Sequence, residues 1–226
     1  MEVDLEEPTS PDELYRSRGD EVEEFRPEFT GDVFSNVQLD GRVITAMVLQ
    51  HPCALRDGPT LIPRVLVAEV TSYQQVADWT AYVKVMPLPD LMKDGRHFAA
   101  KFKEPWLATP KQLVSAERIA VLSQRGVNLL LQRWVNHNSR AIVETSTFSK
   151  ATVAAFDEAD LTEEWCGLRT DQGSKDLVAV IKEADEWFGK DHSTGQQRRL
   201  ALGNPQDRSA IQRDMKRHLR DSTPPP

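Results

Sequence analysis

Three short apolar runs decide the fold: GDVF at 31–34, RVITAMVLQ at 42–50 and RVLVAEVTS at 64–72. The second and third runs are rich in β-branched residues, and Gly, Asp and Pro separate one run from the next. A Pro-rich loop, QHPCALRDGPTLIP at 50–63, lies between the second and third runs and carries His51 and Cys53. The pattern predicts successive strands of a small, curled antiparallel sheet.

The residues on either side extend this sheet. We expect strands over 81–86 and 97–103, and a strand, RIAVLS at 118–123, that closes the barrel. After it, Ser123 can cap a helix that runs to about Asn138, whereas a competing interpretation starts a helix earlier, with Thr109 as its cap and Pro110 as its first residue. The apolar residues of 140–148 favour one more strand.

The last third of the chain is predicted to be helical. Ser174 can cap a helix that ends at Gly189, and Asn204 with Pro205 begins a basic helix. The apolar stripe of that basic helix is Ala210, Ile211, Met215 and Leu219. We therefore expect an α+β fold, an antiparallel β-barrel with a C-terminal helical extension.

Charge and composition divide the 226 residues into four parts. Residues 1–30 carry eleven acidic and three basic side chains, while 31–226 carry 24 acidic and 25 basic ones. Because the first segment has few apolar anchors, we predict a disordered acidic arm over 1–29. A barrel domain with a packed helix follows over 30–148, then the helical extension over 149–221 and a disordered tail over 222–226.

Several classes of protein are excluded by what the sequence lacks. Its two cysteines, Cys53 and Cys166, are far apart, which argues against a disulfide scaffold and against a structural metal site. No apolar run approaches the roughly 20 residues that cross a bilayer. No phosphate loop, dinucleotide fingerprint or nucleophile elbow is present. We expect a cytoplasmic protein that uses no cofactor or metal and does not bind a membrane.

Segment 31–72 resembles the SH3-like barrel of the MazF and PemK toxin family. In that family a Gly-Asp-hydrophobic opening strand leads to an Arg beside the next strand, and a Thr ends the third strand at an RNA-cleaving site. Here 31–34 match the opening, and Arg42 and Thr71 stand at the two site positions. The resemblance implies that Arg42 stabilises charge on a phosphate and that Thr71 positions or relays a proton.

Two departures from the family pattern argue against retained catalysis. Val43 stands where the family usually has Pro, and the family's Gly-rich loop before the Arg is missing between Phe34 and Arg42. The leading hypothesis is therefore a non-catalytic binding or accessory module of a prokaryotic conflict system, of the toxin-antitoxin or phage-defence type, that acts through protein or nucleic-acid contacts. The alternative is an endoribonuclease of the MazF type that uses Arg42 and Thr71.

Other residues offer further sites. His51 and Cys53 suggest either a partner contact or a third hypothesis, a thiol enzyme in which a base activates Cys53. The segment at 132–140 can contact a polynucleotide or contribute to the core with Trp134, leaving Arg133 and His137 on a polar face. A second basic candidate lies on the last helix, where a protein, RNA or DNA partner can meet Arg213, Lys216, Arg217 and Arg220.

Overall fold

The computed structural model describes residues 4–23, 25–58, 60–192 and 195–223. These residues form two compact units. The first unit draws on 1–22, 29–55 and 61–149, and the second on 23–28, 56–60 and 150–226. Each unit has its own apolar core.

The strands of the described residues are short and follow the chain in this order: β1 Tyr15–Arg18, β2 Val33–Leu39, β3 Arg42–Val48, β4 Arg56–Asp57, β5 Thr60–Leu61, β6 Val65–Ser72, β7 Val85–Pro89, β8 His97–Lys101, β9 Trp106–Ala108 and β10 Glu117–Leu122. The helices are α1 Pro11–Leu14, α2 Pro110–Val114, α3 Gln124–Ser139, α4 Thr145–Asp171, α5 Leu177–Phe188, α6 Arg198–Ala201 and α7 Pro205–Asp221.

The first unit is built on one curled antiparallel sheet that forms a half-barrel. Its strands follow the order β1-β10-β2-β3-β6-β8-β7, and β9 pairs with β6 beyond the end of β8. Asp40 and Gly41 make the tight turn between β2 and β3, both with positive φ. The predicted α+β class and the antiparallel curled sheet are confirmed; the SH3-like assignment stays a prediction.

The two outer strands of the sheet are tied to each other by side chains. The Tyr15 hydroxyl on β1 donates to the Pro89 carbonyl at the end of β7 (3.0 Å), and Arg18 donates to the carbonyl of Asp90 (2.7 Å). Pro87 and Pro89 lie on β7, where an edge strand tolerates the missing backbone donor. Side-chain hydrogen bonds thus connect β1 with the end of β7 across the open side of the curled sheet.

The predicted disordered arm differs from the structure, which gives most of residues 4–23 a defined place. Ser10 caps α1 by accepting the Glu13 N–H, and β1 pairs antiparallel with β10. Leu14 is fully buried, and Leu5 and Tyr15 are nearly so. The prediction of disorder relied on the many carboxylates of this segment and gave too little weight to these three apolar residues. In the predicted tail at 222–226, Ser222 bonds Arg169, and residues 224–226 lie outside the described part.

Both interpretations of the helix start are correct, because each describes a different helix. Thr109 and Gln112 form a capping box at α2, while Ser123 caps α3 by accepting the Gly126 N–H (3.0 Å). The strand expected over 140–148 is wrong, since α3 ends at Ser139, Arg140 follows it in the left-handed conformation, and α4 begins at Thr145. Likewise, the strand expected over 81–86 starts only at Val85.

In the second unit, α4, α5 and α7 bury a core that includes Trp165, Phe188 and Met215. Asp176 caps α5 in place of the expected Ser174, which is buried. The expected stripe of α7 is confirmed at Ile211, Met215 and Leu219. This packing leaves the opposite side of α7 in contact with solvent.

Candidate functional site

Arg42 and Thr71, the two positions carried over from the family resemblance, lie on the same face of neighbouring strands. Strands β3 and β6 pair with Ala46 opposite Glu69 and Thr45 opposite Val70. Because side chains alternate along a strand, Arg42 and Ala46 share a face with Glu69 and Thr71. The same face continues into the core that holds Ala46, Val48 and Val67. The register therefore places both residues toward one end of that core.

The guanidinium of Arg42 is engaged by two neighbours that the sequence analysis did not single out. Its Nη2 lies 3.5 Å from a carboxylate oxygen of Glu69, and its Cζ lies 5.4 Å from the centre of the Trp106 ring. The Arg42 side chain is still 59% exposed. In a nuclease this cation has to stabilise charge on a phosphate, but the Glu69 carboxylate already offsets part of its charge. No pattern in the sequence pairs residue 42 with residues 69 and 106, because the contacts depend on strand register.

The Gly-Asp pair that opens the family pattern has a structural role in this chain. Gly31 has a φ of +86°, and a Cβ there would lie 2.8 Å from Cδ1 of Leu122. The Asp32 side chain is fully buried, accepts the Phe29 N–H (2.9 Å) and lies 3.2 Å from Nε of Arg118. Both residues therefore hold the start of β2 against β10.

His51 and Cys53 are close, but the histidine bonds to the backbone. His51 caps the 3₁₀ turn at Pro52–Ala54, where its Nδ1 accepts the Cys53 N–H at 3.2 Å. Burial lowers the pKa of His51 from its ordinary value. The Cys53 residue is exposed. With Nδ1 used as a cap acceptor, the geometry gives no support to a His51–Cys53 acid-base pair.

The second cysteine lies in the core of the second unit. Cys166 is fully buried beside Trp165, and burial, together with Glu163 and Glu183, raises the pKa of its thiol to about 12. A thiol with such a pKa remains protonated near neutral pH and is a poor nucleophile. Cys166 therefore acts as a packing residue.

The segment at 132–140 contributes mostly to the structure of the first unit. Arg133, expected on a polar face, is fully buried and donates through Nη2 to the Trp79 carbonyl (3.1 Å). The i, i+4 spacing of Arg133 and His137 suggested a shared polar face. It did not indicate that the long aliphatic stem of Arg133 is buried. Trp134 contacts the rings of Phe102 and His137. Arg133 is thus a packing residue, and the half-buried Trp134 and His137 contact each other and Phe102.

The four basic residues predicted on the last helix do form one surface. Arg213, Lys216, Arg217 and Arg220 lie at positions i, i+3, i+4 and i+7 of α7, and all four are exposed. We call this surface the basic stripe. At about 1.5 Å per residue it is roughly 10 Å long. Within the described residues, the stripe is the largest cluster of exposed cations on one helix face.

The cations of the basic stripe differ in how fully they are paired. Lys216 bonds Glu164 through Nζ (2.6 Å), and Arg217 lies 3.7 Å from Asp214. For Arg213 and Arg220, the described part of the chain provides no carboxylate within ion-pair distance. The two ends of the stripe, Arg213 and Arg220, therefore keep a positive charge that no carboxylate of the described residues offsets at ion-pair distance.

The described residues hold neither a metal-binding cluster nor a membrane-spanning helix. Among residues 4–23, 25–58, 60–192 and 195–223, no group of three or more His, Cys, Asp or Glu is arranged to hold a metal ion. The helices in the same ranges include none with the length and apolar character to cross a bilayer.

The 50–63 loop buries its apolar residues Leu55 and Leu61 in the core of the first unit. An exposed apolar surface at Leu55 and Leu61, which an adaptor would use, is thus not formed there.

Comparison with known proteins adds no relative to this picture. Family models, curated proteins and solved structures were each compared with the chain. None of the three comparisons gives a match, so the resemblance to the MazF and PemK family stays a prediction.

Proposed function

We propose that this chain is a non-catalytic, nucleic-acid-binding accessory module of a prokaryotic conflict system, of the toxin-antitoxin or phage-defence type, located in the cytoplasm. The basic stripe on α7 is the observation that carries the binding function. The conflict-system setting is supported by the resemblance of 31–72 to the MazF and PemK barrel.

The stripe suits a nucleic-acid backbone because three of its four cations are arginines on one solvent-facing helix face. Arginine presents several donors in a planar fork that matches phosphate oxygens. Arg213 and Arg220 stand at its two ends and are not paired to carboxylates in the described part of the chain. Phosphate contacts of this kind give affinity without sequence readout and are strongly salt-dependent.

The test compares two double variants of the full chain. Arg213→Ala with Arg220→Ala removes the ends of the stripe, while Lys175→Ala with Lys182→Ala removes two exposed cations elsewhere in the second unit. Binding of a labelled 20-nucleotide single strand is measured by anisotropy over a range of salt. Because each phosphate contact contributes about 0.7 to the slope of log K against log salt, the first variant should lower that slope by about 1.4.

The control variant should keep the slope of the wild type. If both double variants behave alike, or if the wild type binds no nucleic acid at 50 mM salt, the stripe is not a nucleic-acid surface. An acidic protein captured through Arg213 and Arg220 in place of the oligonucleotide also contradicts the proposal. Thermal unfolding of each variant confirms that the chains are folded.

The alternative function, an endoribonuclease of the MazF type, is favoured by one observation, the shared face of Arg42 and Thr71. Against it stand the Glu69 carboxylate near Arg42 and the structural role of Asp32. We expect no RNA cleavage by the purified protein and no growth arrest on expression. Wild type is compared with Arg42→Ala and Thr71→Ala; cleavage that either substitution abolishes without loss of stability would replace the proposal.

A further inference from the structure

Residues 4–9, which we call the acidic strap, lie in the first unit as an extended segment against α3 and the start of α4. Leu5 is 4% exposed, so the strap is anchored by an apolar side chain. The backbone N–H of Glu6 donates to Oε1 of Gln132 on α3 (2.8 Å). The strap is therefore held in the manner of a bound peptide, by one apolar anchor and a backbone hydrogen bond.

The Glu6 carboxylate occupies an anion site. It accepts the Thr145 N–H (2.9 Å) and the Thr145 hydroxyl (2.7 Å) at the N-terminus of the 27-residue helix α4. Arg125 on α3 donates to the same carboxylate at 2.8 Å. Helix N-terminal N–H groups together with a cation favour a carboxylate. Burial raises the pKa of Glu6, but these hydrogen bonds outweigh it, and the pKa is lowered overall.

The carboxylate of the next residue, Glu7, makes a longer hydrogen bond than the carboxylate of Glu6 does. The Glu7 carboxylate accepts the Trp79 N–H at 3.5 Å, which is long for a hydrogen bond. The Arg133 guanidinium lies 5.0 Å from the Trp79 ring and is fully buried. Within the described residues, its Nε and Nη1 have no hydrogen-bond partner. Burial lowers the pKa of Arg133 and the charges of Glu7 and Glu6 raise it. Burial has the larger effect, and the resulting pKa is about 10.

We propose that the acidic strap is an internal occupant of a peptide-binding site, and that the site takes an acidic segment of a partner protein in which an apolar residue precedes two carboxylates. The strap itself defines this chemistry through Leu5, Glu6 and Glu7. Buried donors that stay unsatisfied are costly, so a ligand whose second carboxylate reaches Arg133 gains over the strap at that point. This inference concerns the first unit and stands independently of the nucleic-acid proposal.

The strap competes with any partner at a high local concentration. A tethered segment has an effective concentration in the millimolar range, so a peptide in trans binds the wild-type chain weakly. Weakening the Glu6 and Glu7 contacts lowers that competition. Charged hydrogen bonds such as those of Glu6 are strong enough that their removal should increase binding in trans about tenfold or more.

The experiment measures binding of a labelled synthetic peptide that carries residues 4–14, at micromolar concentrations, to two full-length variants and to the wild type. Glu6→Gln with Glu7→Gln weakens the strap. Glu104→Gln with Glu117→Gln makes the same charge change at exposed positions of the first unit. A second peptide with Gln at positions 6 and 7 tests the ligand while leaving the protein unchanged.

We expect the strap variant to bind the native peptide at least about tenfold more tightly than the wild type and the control variant do, and to bind the Gln peptide no better than they do. Equal binding of the native peptide by all three chains, or no binding by any, overturns the proposal. So does equal affinity of the strap variant for both peptides, which indicates an exposed apolar surface. If the double variant does not fold, Glu7→Gln replaces it, with an expected gain of about threefold; no gain overturns the proposal.

Discussion

Arg169 is the side chain whose loss should damage the second unit most. It is fully buried on α4, and its Nε donates to Glu183 on α5 at 2.9 Å. Its Nη1 donates to the Gln172 side chain (2.7 Å) and to the Ser222 carbonyl (3.1 Å) just after α7. One guanidinium therefore connects three helices and satisfies a carbonyl at a helix end.

Arg169→Met keeps much of the side-chain volume and removes every one of these bonds. Breaking a buried pair from one side typically destabilises by about 3–5 kcal/mol, because the other charge stays buried without its partner. Glu183 is partly exposed (24%) and keeps a bond from the Trp165 indole, so we expect the lower end, about 3 kcal/mol.

The same helix α5 offers the matched control. Lys182 and Glu186 form an exposed pair at 3.9 Å, with exposures of 68% and 62%. Such pairs contribute about 0.3–0.5 kcal/mol at most, so Lys182→Met should leave stability nearly unchanged.

The assay is urea unfolding followed by tryptophan fluorescence, to which Trp165 and Trp187 contribute from the core of the second unit. The free energy of unfolding is obtained for wild type, Arg169→Met, Glu183→Gln and their combination, which isolates the coupling between the two side chains. If Arg169→Met destabilises no more than Lys182→Met does, the reasoning about the buried network is refuted.

Three further predictions concern the first unit. The amides of β1 that point toward β10 should be protected from hydrogen exchange because the two strands pair; exchange of every β1 amide at the rate of an unstructured peptide contradicts this. Gly31→Ala should destabilise more than Gly41→Ala, since both have positive φ but only Gly31 also faces Leu122 at 2.8 Å; equal thermal midpoints oppose it. The lowered pKa of Glu6 means that its contribution to stability is present above pH 4.5 and is lost as pH falls through the lower folded value. Glu6→Gln should therefore lose less stability on acidification below about pH 4.5 than the wild type does, and parallel curves argue against the capping role.

Local signals in the sequence predicted most helices and strands. The Asp40–Gly41 turn, the capping box at Thr109 and the Ser123 cap each lie within a few residues of the element that they define. The basic stripe was also predictable, because its residues and its buried face repeat within one helix. These features depend only on neighbours along the chain.

What sequence reasoning missed depends on residues that are distant in the chain. The cap of α4 is the side chain of Glu6, which is 139 residues from Thr145, so nothing local marks the helix start. Glu69 and Trp106 reach Arg42 only through the register of three strands. Arg133 was expected on the surface because it is charged. Its burial depends on Trp79, whose carbonyl it bonds and which is 54 residues away in the chain. Arg42 and Thr71 thus stay a predicted site, and the neighbours of Arg42 could not be read from the sequence.

The pairing of β1 with β10 has a consequence for synthesis of the chain. Tyr15 pairs with Leu122, so the ribosome has to deliver more than a hundred further residues before β1 finds its partner. Contacts of such long sequence separation slow folding, and an unpaired strand edge is prone to intermolecular association. During that interval the dense carboxylates of residues 1–30 provide like-charge repulsion between nascent chains. We therefore expect the acidity of residues 1–30 to oppose association of nascent chains through β1 until β10 has been synthesised.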